Sequence, residues 1–133
     1  MTSETQDKLP RGKVLVEEQT VAGALLGGLI GALIGLTFYV LPFIFGEGTS
    51  LFSPIIGITV GLSVQLLGRG IEAKFGVIGV SFAALAHVVA GLVYGVRGLG
   101  ALLILTSMAF AFMLSFRRLS YADKKAYTMD NLD

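Results

Sequence analysis

Hydrophobic residues fill four long runs of the chain, residues 21–45, 51–67, 75–96 and 98–116, and charged residues stand only between these runs and in the two flanks. The 96 residues from Val21 to Phe116 hold five charges, which are Glu47, Arg69, Glu72, Lys74 and Arg97. As a helix, a run of this length rises roughly 26–38 Å. The apolar core of a bilayer is about 30 Å thick, so the pattern predicts an all-α integral membrane protein with four spans.

The segments around the runs are polar and the connections between them are short. Residues 1–20 and 117–133 form polar flanks, and only a few residues join one run to the next. Short connections make consecutive helices antiparallel neighbours. We therefore expect an antiparallel four-helix bundle over residues 21–116.

Lysine and arginine are distributed unevenly over the loops and flanks. If both termini lie on one side, that side holds nine of the ten, and the other side holds only Arg97. Cytoplasmic loops carry the excess of basic residues. The distribution predicts cytoplasmic N- and C-termini in the plasma (inner) membrane. The alternative to four spans is that the short second run either joins a neighbouring run or forms a re-entrant segment.

Composition agrees with a membrane protein and excludes several kinds of chemistry. Hydrophobic residues make up 54% of the 133 residues and charged residues 14%, against roughly 25% charged residues in soluble domains. Cysteine is absent, so disulfides, thiolate nucleophiles and iron–sulfur clusters are excluded. The net charge is +1 without an arginine-rich stretch, so we expect no nucleic-acid partner.

Small residues recur every four positions in the stretch "AGALLGGLIGALIG" at residues 22–35. One row holds Gly23, Gly27, Gly31 and Gly35, and a neighbouring row holds Ala24, Gly28 and Ala32. Small residues let helix backbones approach closely in lipid. The spacing predicts a face that packs against the protein's own helices. The alternatives are packing against another copy or a partner subunit, and a lining for a lipid tail or pigment.

The second run has a shorter face of the same kind at Gly57 and Gly61, and Gln65 continues it. The fourth run is bulky after Ala101. We expect the first three helices to supply small faces and the fourth to fill volume with large side chains.

His87 is the single histidine of the chain and lies near the middle of the third run. An ionisable residue inside a span is a functional candidate. One interpretation is a neutral imidazole bonded to a backbone carbonyl, Ser63, Thr106 or Ser107. The others are a ligand or proton relay within a complex, and a lipid or quinone contact.

Several polar residues near the cytoplasmic side are candidates for contacts. Gln65 is interpreted as an interhelical hydrogen-bonding group. Four basic residues are candidates for lipid headgroup contact, and they are Arg69, Lys74, Arg117 and Arg118. Long basic side chains extend toward phosphates at membrane surfaces.

The residue sets of common catalytic and transport mechanisms are missing from the sequence. No catalytic triad, metal-ligand cluster or P-loop is recognisable, and all nine acidic residues lie in loops or flanks. Proton-driven exchangers rely on ionisable groups inside the membrane. We therefore expect no enzyme activity, no cofactor and no metal.

The stretch "IIGITVGLSVQLLGRGIEAKFGVIGVSFAALAHVVAGL", from Ile55 to Leu92, resembles small uncharacterised prokaryotic multi-pass membrane proteins with four helices. The shared pattern is a glycine-spaced helix, a basic glycine-containing turn and a small-residue helix, over 38 of the 133 residues. The resemblance implies a bacterial or archaeal plasma-membrane protein and implies no activity.

These observations predict a small, non-catalytic membrane protein that serves as an accessory or scaffold subunit of a membrane complex. Its expected partners are the lipid bilayer and other membrane subunits or further copies of the chain. The alternative is an oligomeric transporter or pore whose glycine faces line a path for a small solute or ion. A third hypothesis is a subunit that contacts quinone or haem through His87.

Overall fold

The computed structural model of the protein describes residues 10–44, 52–94 and 100–130. These residues form helices and no strands, so the all-α prediction is confirmed. The helices are α1 (Arg11–Glu17), α2 (Val21–Ile44), α3 (Ser53–Gly68), α4 (Ala73–Tyr94), α5 (Gly100–Leu114) and α6 (Tyr121–Asp130). The predicted exterior turns with Glu47 and Arg97 lie outside the described residues.

Four of the helices coincide with the apolar runs. Helices α2 and α4 are long and apolar enough to cross a membrane, over Val21–Pro42 and Ala73–Val93. Helices α3 and α5 are apolar and shorter, with 16 and 15 residues. Each of the four begins and ends within a few residues of a predicted run.

Helix α3 is the centre of the bundle, because it contacts α2, α4 and α5. Its buried residues are Ser53, Ile56, Gly57, Val60, Gly61, Val64 and Gly68. Helix α4 also contacts α2 and α5. The core is therefore built from aliphatic side chains of α3, from small residues of its neighbours, and from the aromatic rings of Tyr39 in α2 and Phe75 in α4.

The glycine row of α2 lies directly on the backbone of α3. A methyl group at Gly31 would lie 2.6 Å from the carbonyl oxygen of Thr59, and the Thr59 hydroxyl donates a 2.9 Å hydrogen bond to the Gly31 carbonyl oxygen. The same antiparallel ladder pairs Gly23 with Leu67, Gly27 with Ser63, and Gly35 with Ile56. A side chain larger than hydrogen at Gly31 would separate the two helices.

The second small row of α2 contacts both α4 and the end of α3. Ala24 and Ala32 are buried. A methyl group at Gly28 would meet the ring of Phe82 in α4, whereas Ala24 lies against Gly68, the last residue of α3. The bulky residues of α2 are left on the outer surface, and they are Leu25, Leu26, Leu29, Ile30, Leu33 and Ile34.

Helix α5 approaches α3 at Gly57 and Gly61. A methyl group at Gly57 would overlap the Ser107 carbonyl, and one at Gly61 would lie 2.8 Å from Cβ of Leu114. The residues that α5 buries are the small ones, Gly100, Ser107 and Ala111. The expectation that the fourth helix fills volume with large side chains holds only in part. Toward Gly57 the two backbones are too close for a large side chain, whereas Leu114 packs beside Gly61 and the ring of Phe112 packs on Gly76 of α4. Other large side chains of α5 are exposed, and they include Leu102, Leu105, Phe110 and Met113.

The two polar flanks contain helices α1 and α6, which pack on each other. Arg11 Nε lies 2.6 Å from Asp123 Oδ1, and the Gly12 amide donates a 2.9 Å hydrogen bond to Asp130 Oδ2. The hydrogen bond from Ser120 and the charge of Arg11 hold the pKa of Asp123 below its usual value. Both flanks consequently meet at one end of the bundle, which we call the proximal end; the opposite end is the distal end.

Candidate functional site

His87 belongs to a buried polar cluster in the distal half of the bundle. Its side chain is 7% exposed and that of Ser53 is 2% exposed. His87 Nδ1 lies 2.6 Å from the Ala83 carbonyl oxygen, and Nε2 lies 2.7 Å from Ser53 Oγ. A carbonyl oxygen can only accept, so a neutral imidazole carries its proton on Nδ1, and Nε2 accepts from the Ser53 hydroxyl.

One of the partners expected for His87, a backbone carbonyl, is found at Ala83. The hydroxyl partner is different, because it comes from Ser53 and not from Ser63, Thr106 or Ser107. Ser53 is the first residue of α3, and the N-cap position is Phe52. The pair Ser53–Pro54 therefore begins the helix, and the serine hydroxyl is turned to α4 instead of capping α3.

The cluster also lies closer to one end of the bundle than the sequence position of His87 suggests. His87 is 14 residues after Ala73, the first residue of α4, which corresponds to about 21 Å of helix. It contacts α3 at that helix's first residue. Because α3 is shorter than α4, His87 lies near the middle of its own run and yet contacts α3 at the distal end of that helix.

A cavity of about 10 Å³ adjoins the cluster, lined by Tyr39, Ser53, His87, Ala90, Gly91, Gly100 and Ile104. A cavity needs roughly 10–15 Å³ to hold one water. A quinone ring or a haem does not fit this space. Tyr39 is 5% exposed, so it packs in the core beside the cluster.

A second polar network ties the proximal ends of the helices together. Gln65 Nε2 donates a 2.8 Å hydrogen bond to the Phe116 carbonyl oxygen. Arg117 lies 2.6 Å from Glu18 through Nη1, and its amide donates to the Gly70 carbonyl oxygen at 2.8 Å. These bonds join α3, the chain after α5 and the chain after α1.

The start of α2 is fastened to the loop between α3 and α4. The Thr20 amide donates to the Gly68 carbonyl oxygen at 2.9 Å, and the Thr20 hydroxyl donates to that of Leu67 at 3.1 Å. Gln19 accepts from the Ile71 amide at 3.2 Å. The last carbonyls of α3 are thus satisfied by the chain that enters α2.

Beside this network lies an open pocket of about 480 Å³, lined by Glu18, Gln65, Leu66, Arg69 and Arg117. Two of the four basic residues predicted to contact headgroups line it. The other two do not: Lys74 pairs with Glu72 at 2.9 Å, and Arg118 is an exposed residue outside the lining. Sequence reasoning missed Glu18, which comes from the opposite flank of the chain.

Metal binding finds no support in the part of the chain that the structure describes. Within residues 10–44, 52–94 and 100–130, histidine, aspartate and glutamate form no group of three or more that could hold an ion. No protein-family model, curated protein or solved structure matches this chain.

Proposed function

We propose that the protein is a four-span integral protein of the plasma (inner) membrane, and that it acts as a non-catalytic accessory or scaffold subunit of a membrane complex. The observation that carries the membrane assignment is the outer surface of all four apolar helices. Its exposed side chains include Leu26, Leu29 and Leu33 of α2, Leu62 and Leu66 of α3, Leu85, Val88 and Leu92 of α4, and Leu102, Leu105 and Met113 of α5. A soluble monomer rarely exposes continuous apolar patches above a few hundred Å², whereas lipid covers such a surface without cost.

The packing of α1 on α6 supports an even number of spans. Both flanks lie at the proximal end, so a chain that leaves this end through α2 returns to it before α6. Nine of the ten lysines and arginines then lie on the proximal side, which favours a cytoplasmic location for that side. Helices α3 and α5 rise about 22–24 Å, and a bilayer accommodates short spans by local thinning.

Cysteine labelling tests this topology cleanly, because the natural chain has no cysteine. A membrane-impermeant maleimide added to intact cells or spheroplasts is expected to label Glu47→Cys and Arg97→Cys. It should label Lys74→Cys and Lys124→Cys only after permeabilisation. If α2 and α4 alone crossed the membrane, positions 74 and 97 would exchange their labelling, and the four-span proposal would be wrong.

The subunit role is supported by the fact that the small-residue face of α2 and the polar atoms of His87 already have partners inside one copy of the chain. The glycine row of α2 is occupied by α3 within one copy, and both ring nitrogens of His87 are bonded inside the bundle. The surface that remains for other proteins is the bulky apolar exterior. Helices associate in lipid through van der Waals packing and interhelical hydrogen bonds, so a partner subunit would have to match the shape of this exterior.

Purification of the tagged protein in a mild detergent tests the subunit role. We expect a membrane protein to co-purify in a fixed stoichiometric ratio, identified by mass spectrometry and retained through size-exclusion chromatography. A tagged, unrelated four-span protein from the same membrane serves as the control for adventitious capture. A monodisperse monomer without a stoichiometric partner would count against the role.

Two alternatives lead to different measurements. A pore lined by the glycine row of α2 would require α2 to leave α3, and flux through protein-containing liposomes would favour it. A quinone- or haem-contacting role through His87 would require the Ser53 bond to break and the 10 Å³ cavity to open. A coloured preparation with a Soret band would favour the haem variant.

A further inference from the structure

Arg69 occupies an unusual backbone position at the mouth of the proximal pocket. It follows the last residue of α3 with φ 50 and ψ 29, in the left-handed region, and it is the single non-glycine residue with positive φ among the residues described. Glycine adopts this region without strain, and other residues do so at a cost. Helices commonly end in a left-handed residue, and having arginine there instead of glycine places a long cationic side chain at the pocket.

The guanidinium of Arg69 is available to a ligand. Across residues 10–44, 52–94 and 100–130 it has neither a hydrogen-bond nor an ion-pair partner, in contrast to Arg117, which is held by Glu18. The pocket lining therefore has one uncompensated positive charge. An anionic group in the pocket would pair with Arg69 and lie beside Arg117.

An apolar strip on α3 leads straight to this pocket. Residues at i, i+3, i+7 and i+11 share one face of a helix, and here they are Ile55, Ile58, Leu62 and Leu66. Leu62 is 41% exposed and Leu66 is 73% exposed, and Ile55 and Ile58 are partly exposed. Arg69 follows just past the end of the helix and lines the pocket together with Leu66.

The strip runs between the two helices that flank α3. On one side Thr59 and Ser63 contact α2, and on the other Gly57 and Gly61 contact α5. From Ile55 to Leu66 the strip is about 16 Å long. One leaflet contributes about half of a hydrocarbon core of roughly 30 Å, so the strip matches an acyl chain of the proximal leaflet in length.

We propose that this strip and pocket bind one anionic phospholipid, with its phosphate against Arg69 and an acyl chain along Ile55, Ile58, Leu62 and Leu66. The inference rests on the proposed membrane location, with the proximal side cytoplasmic. A soluble phosphate would use the arginines but leave the strip empty. A lipid uses both, because its charged and apolar parts are joined at the same boundary.

Lipid binding to the purified full-length protein in a neutral detergent tests the proposal, read by native mass spectrometry and by the lipid-dependent rise in Tm. Phosphatidylglycerol is expected to bind more tightly than phosphatidylcholine. Arg69→Gly is expected to weaken phosphatidylglycerol binding about tenfold or more, the loss that corresponds to one charge-assisted hydrogen bond. Glycine suits the left-handed position, so the variant should fold as well as the natural protein or better.

Arg118→Gln is the matched control, since it removes one positive charge from the same end of the bundle outside the pocket. It should leave phosphatidylglycerol binding nearly unchanged, whereas Leu66→Ser should weaken it. Equal losses for Arg69→Gly and Arg118→Gln, or equal binding of both lipids, would overturn the proposal. Competition by glycerol phosphate alone would also overturn it and would assign the pocket to a soluble anion. This assay requires no partner protein and does not depend on how the chain crosses the membrane. A failure to bind lipid can therefore be told apart from a failure of the proposed topology or subunit role.

Discussion

The double substitution Gly27→Leu/Gly31→Leu is expected to destabilise the folded bundle strongly, by about 6 kcal/mol. At both positions a new Cβ would lie against the backbone of α3, near Ser63 and Thr59. Backbone atoms cannot move aside as a flexible side chain can, so α2 would have to separate from α3 along the ladder. Overpacking typically costs 1–3 kcal/mol per site, and two sites at the upper end remove about 6 kcal/mol from a stability of roughly 5–15 kcal/mol.

The measurement is the yield of monodisperse protein in mild detergent together with its thermal unfolding. A matched control is Ala22→Leu/Ala109→Leu, which adds comparable side-chain volume at exposed positions of α2 and α5. The control should purify and unfold like the natural protein. If the glycine double variant behaved like the control, the close approach of α2 and α3 would not be what holds the bundle together.

The helices themselves could be predicted because long apolar runs, separated by charged breaks, are local features of the sequence. A segment that crosses hydrocarbon needs consecutive apolar residues, and the breaks between such segments hold the charges. The observed helices α2 to α5 accordingly lie within a few residues of the four apolar runs. No tertiary information is needed for that step.

Which helix packs on which face could not be predicted from the sequence. A row of glycines predicts that the backbone of another helix comes close, but it does not indicate which helix that is. The structure places Gly27 against α3 and Gly28 against α4. The burial of Ser107 and Ala111 on α5 follows from the approach to Gly57 and Gly61, which depends on how α5 is rotated about its axis.

The contacts of the flanks depend on residues far apart in the chain. Arg11 and Asp123 are more than a hundred positions apart, as are Gly12 and Asp130, so no local pattern indicates their pairing. Helix α6 did have a local signal. Ser120 is followed three residues later by Asp123, the two side chains bond at 2.8 Å, and this spacing is typical of a helix start.

The hydrogen bond between His87 and Ser53 is the clearest energetic coupling in the interior. Both residues are almost fully buried, so neither can exchange its partner for bulk water. Removing one member of such a pair leaves the other unsatisfied, which costs more than the bond itself contributes. Removing both, with apolar replacements of similar shape, relieves that penalty.

Ser53→Ala is therefore expected to lower the free energy of unfolding by about 1–2 kcal/mol, because Nε2 of His87 loses its donor. His87→Leu should be destabilising by a similar amount, through the orphaned Ser53 hydroxyl. The double variant Ser53→Ala/His87→Leu should lose clearly less than the sum of the two, as measured by denaturant or thermal unfolding in detergent. Ser81→Ala on the outer face of α4, whose hydroxyl bonds within its own helix, should change stability by no more than about 0.5 kcal/mol. Strict additivity of the two single changes would show that the imidazole and the hydroxyl do not depend on each other, and that His87 is held in place by packing alone.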